Sequence, residues 1–167
     1  MLLRLVAQTH LHTALIFLFL LVGTPSLFAV EGEIPSADNL AETGRTSGQQ
    51  DIPTVVFVSR DACPYCRTLR DNILEPMLAA GKFEYRAILV EVSLDRAKPL
   101  TDFGNKQVTA KAFGEFYRAE ITPTLLFLNS EGREVGKRII GISNLELYGH
   151  YLQKSIDQSL LAIRSGH

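Results

Sequence analysis

Apolar residues in this chain occur either in unbroken β-branched runs or at spacings of three and four, and the two patterns alternate along the sequence. The first pattern is typical of strands buried on both faces, and the second is typical of helices. The predicted order is strand, helix, strand, helix, strand, strand, helix. The predicted strands are 54–59, 85–94, 124–129 and 134–140, and the predicted helices are 63–80, 109–119 and a final helix that Ser143 opens.

The first predicted helix carries one apolar face, at Cys66, Leu69, Ile73 and Met77. Gly81 is expected to end this helix, since glycine readily adopts the left-handed conformation that follows many helices. Pro76 lies inside the helix and should kink it, because the proline ring displaces the carbonyl group of Asn72.

Capping residues mark the starts of the other helices. Thr109 can cap the second helix, and Ser143 with Glu146 forms a capping-box pattern for the last one. The turn 130–132 joins the last two strands as a hairpin. Alternating strands and helices with this hairpin predict an α/β fold, in which a mixed central sheet has helices on both faces.

Residues 1–29 have the three-part layout of a secretory signal peptide. Arg4 gives a positive start, 14–22 is an apolar run, and Ala29 offers a small residue for cleavage. The run is shorter than the roughly 20 residues that a membrane-spanning helix needs, so cleavage is expected rather than the alternative, an N-terminal membrane anchor. The remaining chain is expected in the periplasm, with no stable membrane insertion after cleavage.

The stretch 30–50 is polar and rich in glycine and serine. It predicts a polar tether with one short helical turn at 37–42, followed by a single domain over 51–167. The chain carries 17 basic and 18 acidic residues, and this balance argues against a nucleic-acid-binding surface.

The two cysteines lie three positions apart, directly after a predicted buried strand and at the start of a predicted helix. The partial positive charge and free N–H groups of the helix start favour a thiolate at Cys63, and the flanking Arg60, Asp61 and Arg67 would modify that effect. Cys66 lies one helical turn further in and faces the core. This arrangement predicts thiol–disulfide exchange, in which Cys63 is the nucleophile and Cys66 resolves the mixed disulfide.

Other uses of the cysteine pair fit the sequence less well. A disulfide that closes so short a loop stabilises little. Zinc needs about four ligands, and outside the signal only His150 and His167 could join the pair. Covalent haem needs a histidine where Arg67 stands, and a cysteine hydrolase needs a histidine base near the motif. No metal and no separate cofactor are therefore expected.

Two short segments carry a resemblance to a known family. They are Cys63-Pro64-Tyr65-Cys66 and, before an apolar strand, Ile121-Thr122-Pro123-Thr124. Together they resemble the thioredoxin superfamily, over about 54–161 of the chain.

This resemblance implies a thioredoxin-like fold whose chemistry resides in a redox-active disulfide. It implies that Pro123 is cis and lies beside the cysteines, and that Thr122 pairs with the backbone of a substrate chain like an added strand. Pro64 and Tyr65, between the cysteines, would belong to the same substrate-binding surface.

Within the superfamily the chain most resembles exported SoxW-type thioredoxins. The points of likeness are the Pro-Tyr pair between the cysteines, the segment 101–106 and the Thr-Pro-Thr sequence around Pro123. The likeness implies a periplasmic thioredoxin that serves thiol- or disulfide-bearing exported proteins, in sulfur-compound metabolism or cytochrome maturation. It would receive its electrons from a membrane donor.

The sequence departs from thioredoxins at two positions near the first cysteine. Phe57 stands where they have a buried acid, and Ala62 stands where they have tryptophan. Proton transfer to and from Cys66 must then use water or another group. Glu91 and Asp95 on the neighbouring strand are candidates, although charges at strand ends are more often solvated.

The leading functional hypothesis is a disulfide reductase. One alternative is an oxidase or isomerase that introduces or shuffles disulfides, and another is a redox-inactive thioredoxin-fold binding module. A Dsb-type oxidase usually has a helical insertion and an isomerase a dimerisation domain, and the roughly 138 exported residues leave room for neither. A binding module has no need of both cysteines.

Overall fold

The computed structural model describes residues 32–166, and the predicted signal 1–29 lies outside this range. Within the described range, none of the helices is long and apolar enough to cross a membrane. The strands are β1 Thr54–Ser59, β2 Ile88–Ser93, β3 Leu100–Thr101, β4 Gln107–Val108, β5 Thr124–Leu128 and β6 Ile139–Ile140. The helices are α1 Leu40–Gln50, α2 Pro64–Leu69, α3 Glu75–Ala79, α4 Ala110–Phe116 and α5 Leu145–Ser165.

A four-stranded mixed sheet forms the centre of the fold, in the order β2-β1-β5-β6. β1 is parallel to β2 and antiparallel to β5, and β6 is antiparallel to β5. β3 and β4 form a separate two-stranded hairpin. The α/β architecture that the sequence predicted is confirmed.

Both faces of the sheet are buried, because alternate residues of each strand point to opposite sides. Val55 and Phe57 belong to one apolar layer, which α5 and the helix after the cysteines complete. Val56 and Val58 belong to a second layer, which α1 and α4 complete. This two-sided burial explains why β1 is an unbroken apolar run in the sequence.

The polar tether predicted over 30–50 is wrong for the residues that the structure describes, since α1 occupies its second half. Asn39 caps this helix by accepting a hydrogen bond of 3.1 Å from the Glu42 N–H. A Cβ atom on Gly44 would lie only 2.5 Å from the Ser130 carbonyl oxygen, so glycine permits this close approach. The buried residues of α1 are Leu40, Ala41, Gly44 and Ser47.

The segment 35–37, which we call the edge segment, covers the outer edge of β2. The Ala37 N–H donates to the Glu91 carbonyl, and the Glu91 N–H donates to the Pro35 carbonyl, each over 2.8 Å. The edge segment therefore continues the sheet, and the folded domain begins before the boundary predicted at residue 51.

A π-helical turn, Arg70–Leu74, joins α2 to α3, and we call the continuous stretch 64–79 the cysteine helix. The turn ends two residues before Pro76, which has no N–H to continue α-helical bonding. The extra residue moves the buried face by one position. Leu74 is therefore fully buried, and Ile73, which the sequence placed on that face, is only partly buried.

Of the two predicted helix caps, one is confirmed and the other is one residue away. Thr109 caps α4 by accepting a hydrogen bond of 3.1 Å from the Ala112 N–H. The cap of α5 is Asn144 rather than Ser143, since its side chain accepts a hydrogen bond of 3.0 Å from the Leu147 N–H. Asparagine and serine cap helices about equally well, so the sequence alone does not separate two adjacent candidates.

The hairpin strand predicted over 134–140 is interrupted in its middle. Gly136 lies directly against the side chain of Ser159 on α5, where a Cβ atom would clash. The chain pairs with β5 on either side of this contact, through a bridge at Glu134 and through β6. Close packing on α5 therefore takes precedence over a continuous edge strand here.

Candidate active site

Cys63 and Cys66 lie where the sequence predicted, at the start of the cysteine helix and just beyond β1. They form a disulfide, with their Cα atoms 5.2 Å apart. Pro64 occupies the first helical turn, where its missing N–H costs no helical hydrogen bond. The Cys66 N–H donates to Cys63 Sγ over 3.1 Å, so a free backbone donor of the helix start points at this sulfur.

The two sulfur-bearing residues differ in exposure. Cys63 is 8% exposed, whereas Cys66 is 0% exposed and packs in the apolar layer with Leu69. Only Cys63 is accessible from outside the described fold. The inward-facing position predicted for Cys66 is confirmed.

A second loop brings Thr122 and Pro123 to the same place. The Thr122–Pro123 peptide bond is cis, as the resemblance implied. The Thr122 carbonyl oxygen lies 3.8 Å from Cys63 Sγ, and the Thr122 hydroxyl oxygen lies 3.6 Å from it. The Thr124 hydroxyl donates to the Ile121 carbonyl over 2.7 Å and holds this loop in shape.

Exposed apolar side chains lie on the segments that meet at the reactive sulfur. Tyr65, predicted as part of the substrate surface, is more than half exposed, and its neighbour Pro64 is exposed as well. Ile121 and Ile140 are also more than half exposed, and the sequence analysis missed both. Ile121 directly precedes Thr122 and Pro123, and this position in the sequence could have identified it as a site residue. Ile140 reaches this end only through its pairing with Thr124, which no local pattern shows.

Polar contacts fix the loop that leads to the first cysteine. Asp95 accepts hydrogen bonds from the Asp61 N–H and from the Arg60 guanidinium, each over 3.0 Å. The Ser93 hydroxyl donates to the Asp61 carboxylate over 2.9 Å, and Arg67 donates to the Asp61 carbonyl over 3.4 Å. The charges that flank the motif are therefore engaged with one another and with the backbone, and they hold the loop against the end of β2.

The sequence matches the thioredoxin-like domain family over residues 40–156. The chain belongs to this family. The match begins at the first residue of α1, which agrees with the packing of that helix on the sheet. A search of curated proteins found no matching relative.

Solved structures show the same fold at low sequence identity. A DsbH oxidoreductase aligns with a TM-score of 0.58 and 20% identity, over 82% of this chain and 92% of that chain. Thioredoxin O2 from Arabidopsis thaliana, in its oxidised state, aligns with a TM-score of 0.50 and 16% identity, over 74% of this chain and 94% of that chain. With a Cys-x-x-Cys disulfide at the start of the helix after β1, this thioredoxin-like chain is a thiol–disulfide oxidoreductase.

This thioredoxin-like site has the fully buried Phe57 in place of an acid. Glu91 stands opposite Phe57 on β2, accepts a hydrogen bond from the Ser59 hydroxyl and forms an ion pair with Arg70 of the cysteine helix. The Arg70 guanidinium carbon lies 5.5 Å from the centre of the Phe57 ring. The Glu91 side chain is only 15% exposed, so it is not the solvated strand-end charge that the sequence favoured. Asp95 is occupied in holding the loop.

The structure also bears on the zinc alternative. Within residues 32–166, no group of three or more His, Cys, Asp or Glu side chains is placed to hold a metal ion. His150, one of the two histidines considered, is exposed on α5, where its ring lies 6.0 Å from that of Tyr151. His167 lies outside the described residues.

Proposed function

We propose that this protein is an exported, periplasmic thioredoxin that reduces disulfides of partner proteins. The observation that carries the proposal is the position of Cys63 Sγ, which lies at a helix start, 3.1 Å from the Cys66 N–H and next to Thr122. Backbone N–H groups and the positive end of the helix stabilise a thiolate at such a position. Cys63 is also the cysteine that a partner can reach.

In the proposed reaction the Cys63 thiolate attacks one sulfur of a partner disulfide. A bond forms between Cys63 Sγ and that sulfur, and the second partner sulfur leaves as a thiolate and takes up a proton. Cys66 then loses its thiol proton and attacks Cys63 Sγ, so that the Cys63–Cys66 disulfide forms and the first partner sulfur leaves. Two electrons have passed to the partner, and a dithiol donor at the membrane returns the two cysteines to the reduced form.

We assign partner binding to the surface around Cys63. The Thr122 backbone pairs with an extended partner segment in the manner of an added strand, with Pro123 holding the loop beside the sulfur. The exposed side chains of Pro64, Tyr65 and Ile121 supply apolar contact on either side. Such a surface accepts many partner sequences, because backbone pairing does not depend on side-chain identity.

The connections between elements favour a reductase over a Dsb-type oxidase. β2 leads to α4 through the β3–β4 hairpin, and β5 leads to α5 through β6, so neither of these described connections is a helical insertion. Equilibration against glutathione buffers decides the direction. A potential near that of thioredoxin, about −270 mV, supports the reductase, and one near that of DsbA, about −120 mV, contradicts it.

Within the reductases, the likeness to SoxW-type thioredoxins supports a role among exported thiol proteins of sulfur metabolism or cytochrome maturation. Export depends on the signal predicted over 1–29. Mass spectrometry of the periplasmic fraction is expected to find a mature protein that begins near Val30. A chain that retains residues 1–29 and sediments with membranes contradicts cleavage and supports the anchored alternative.

The central experiment is trapping of partners by single cysteine variants. Cys66→Ser is expected to accumulate mixed disulfides, because nothing remains to resolve them, whereas Cys63→Ser accumulates few, because its remaining thiol is buried. The variant that lacks both cysteines is the control for non-covalent capture. Equal trapping by both single variants contradicts the assigned roles. No trapping by either, together with no dithiol reactivity of the wild type, supports the redox-inactive binding module.

A further inference from the structure

A cavity of about 470 Å³ opens at the surface between the β3–β4 hairpin, α4 and the turn that follows β5. Aromatic rings form much of its wall, namely Phe103 from the hairpin and Phe113, Phe116 and Tyr117 from α4 and its C-terminal end. Its volume lies in the range of ligand sites, roughly 300–1,000 Å³. The reaction proposed at Cys63 gives this cavity no part.

The rim of the cavity carries an unusually exposed ring. Phe116 is 78% exposed, although its ring centre lies 4.9 Å from that of Tyr117. The face of an aromatic ring is electrically negative, so that it attracts a cation placed within about 6 Å. Walls of this composition favour a ligand that is both flat or apolar and positively charged.

A carboxylate lies beside the rings. Asp102 is half-buried, and its Oδ1 atom accepts a hydrogen bond of 2.8 Å from the Lys106 N–H, which closes the hairpin turn. Among residues 32–166 the Asp102 carboxylate forms no ion pair with a basic side chain. A partly buried charge without a counter-ion is unfavourable, and a cationic ligand in the cavity would compensate it.

Two basic side chains also line the cavity, and both are exposed. The Arg133 guanidinium forms an ion pair of 2.5 Å with Glu131, so its charge is already offset. The Lys106 ammonium has no such partner among the described residues, but water and salt screen an exposed charge more than a half-buried one. The half-buried Asp102 therefore outweighs Lys106 inside the cavity.

The ionisation of Tyr117 reports the same sign of charge. Burial, and then the charges of Asp102 and Glu134, raise the pKa of Tyr117 to about 12. Both charges that contribute to this shift are negative, so the field at this ring favours a cation. The Tyr117 hydroxyl donates its proton to the Gly132 carbonyl over 2.8 Å, which leaves the phenol oxygen able to accept a hydrogen bond from a ligand.

The opening of the cavity decides what kind of cation fits. A free small molecule binds best where the walls enclose most of its surface, whereas a side chain that projects from a partner chain enters through an opening. This cavity is open to solvent. Between the two basic side chains, arginine fits better than lysine, because its planar guanidinium stacks on aromatic rings and donates several hydrogen bonds at once.

We propose that this cavity binds an arginine side chain of a partner polypeptide, with the guanidinium among the aromatic rings and Asp102 as its counter-ion. The cavity lies at the turn that follows β5, and Cys63 follows β1, which is antiparallel to β5. A partner held at the cavity therefore leaves Cys63 uncovered. The inference is independent of the direction of the redox reaction at Cys63.

The test titrates the full-length protein with three probes. Two are capped tripeptides, acetyl-Ala-Arg-Ala-amide and its citrulline counterpart, which keeps the shape of the arginine side chain without the charge. The third is ethylguanidinium, the same cation without a peptide chain. Amide NMR signals of Gly104 and Gly132, which line the cavity, report binding. The arginine peptide is expected to bind about tenfold more tightly than the citrulline peptide.

Substitutions assign the binding to the cavity. Asp102→Asn removes the charge and keeps an acceptor for the Lys106 N–H, and it should weaken binding of the arginine peptide about fivefold. Phe116→Ala should weaken it about threefold, and Lys106→Gln should strengthen it by removing a like charge. Glu115→Gln is the matched control and should change nothing, because it removes an exposed carboxylate of α4 that does not line the cavity.

Four outcomes overturn the inference. The arginine and citrulline peptides bind equally, or Glu115→Gln weakens binding as much as Asp102→Asn, or Lys106→Gln weakens binding instead of strengthening it, or ethylguanidinium binds as tightly as the arginine peptide. The last result assigns the cavity to a small organic cation rather than a partner chain. If Asp102→Asn does not fold, Phe116→Ala decides, since its ring is exposed. A wild type without dithiol reactivity refutes the proposed function and leaves these titrations unaffected.

Discussion

The two ends of the central sheet are constructed in different ways. Cys63 follows the end of β1 at Ser59, and the Thr122–Pro123 loop meets it there. Because β5 is antiparallel to β1, with Thr54 opposite Leu128, the turn 129–132 lies at the far end. One end of the sheet therefore carries the reactive cysteines, and the other end carries the turn that follows β5. We call them the reactive end and the far end.

Single polar contacts set the geometry of the reactive end. Asp95 holds the loop before Cys63 through two hydrogen bonds of 3.0 Å, and Thr124 holds the loop before β5 through one of 2.7 Å. None of these contacts covers the sulfur. The loops are thus fixed in position while Cys63 remains accessible.

Aromatic rings dominate the far end. The Tyr117 hydroxyl donates to the Gly132 carbonyl over 2.8 Å, and the Tyr117 ring lies 4.6 Å from that of Phe113 and 4.9 Å from that of Phe116. With Phe103 they line an open cavity of about 470 Å³. Phe113 is buried and contributes to stability through buried apolar area, whereas Phe116 is largely exposed.

The difference indicates that stability and redox behaviour can be changed separately in this protein. Substitutions at the far end should alter the free energy of unfolding and leave the Cys63–Cys66 potential unchanged. Substitutions at the reactive end should change thiol–disulfide exchange at Cys63 and cost less stability. Four experiments test this separation.

The largest effect is expected from Gly132→Ala at the far end. Gly132 has a φ of 78°, and an added Cβ would lie 2.7 Å from the Tyr117 hydroxyl oxygen and 2.8 Å from the Phe103 ring. Backbone strain and overpacking together should lower the free energy of unfolding by about 2–4 kcal/mol. Urea denaturation measures the loss, and glutathione equilibration should show an unchanged potential.

Gly141→Ala is the matched control for this experiment. Its φ of 67° is similar, but nothing lies within 4 Å of an added Cβ. It should therefore show only the backbone strain, about 1 kcal/mol. Equal losses from the two substitutions would mean that the aromatic contacts of Gly132 contribute nothing.

An alkaline titration tests the far end through Tyr117. Burial, with the charges of Asp102 and Glu134, raises the pKa of Tyr117 to about 12, from an ordinary value of 10.0. The folded protein retains this proton where the unfolded chain loses it, so stability is full below pH 10 and declines as the pH rises from there towards 12. Because Tyr117 is only partly buried and water screens its charge, the decline should be about 1–2 kcal/mol.

Tyr117→Phe should lack this alkaline decline. At neutral pH it loses the hydrogen bond to the Gly132 carbonyl, at a cost of about 1 kcal/mol. The stability curves of the two proteins should therefore approach each other as the pH rises, and cross where the decline of the wild type exceeds the cost of the lost hydrogen bond. Parallel curves up to pH 12 would show that the ionisation of Tyr117 is not linked to folding.

Asp95→Ala tests the reactive end. It removes both hydrogen bonds that hold Arg60 and Asp61, and it should slow disulfide exchange by loosening the loop before Cys63. The free energy of unfolding should fall by about 1 kcal/mol or less, because the contacts are exposed. Asp95→Asn retains an acceptor for the Asp61 N–H and should restore most of the rate. A large loss of stability without a change in the exchange rate would show that Asp95 serves stability rather than reactivity, contrary to the difference described between the two ends.

The smallest effect is expected at Asp38, which follows the edge segment and pairs with Arg96 and Lys98. Hydrogen bonds from Arg96 and Lys98 hold the pKa of the Asp38 carboxyl below its ordinary value of 3.8. Their contribution is present above that value and disappears as the pH falls through the lowered pKa. Urea midpoints of wild type and Asp38→Asn should differ only slightly at pH 6, since Asp38 is half exposed, and should approach each other as the pH falls below the ordinary carboxyl value of 3.8.

Much of the reactive end could be predicted because its signals are local. The buried run of β1, the spacing of Cys63 and Cys66, and the Thr-Pro sequence before β5 are each contained in a few consecutive residues. Burial on both faces explains the apolar run of β1, and the geometry of a helix start explains the spacing of the two cysteines. The exposed Ile140 was missed because only pairing between strands brings it to the site.

Features that depend on distant contacts could not be predicted. α1 looks like a linker because its buried face includes Gly44 and Ser47, and small polar residues form a helix face only when another segment lies against them. The partner, the Ser130 backbone, is remote in sequence. The π turn before Pro76 likewise moved the buried position from Ile73 to Leu74, a shift that regular helical spacing does not reveal.

The edge segment has a consequence for encounters with other chains. An uncovered outer strand presents unpaired N–H and carbonyl groups, and these invite pairing with any extended polypeptide. The Glu91 backbone groups on β2 are already satisfied by Pro35 and Ala37, so they are not available to pair with another chain at that point of the edge. Under the proposed function, this contact disfavours pairing of an extended partner at Glu91 and so favours pairing beside Cys63.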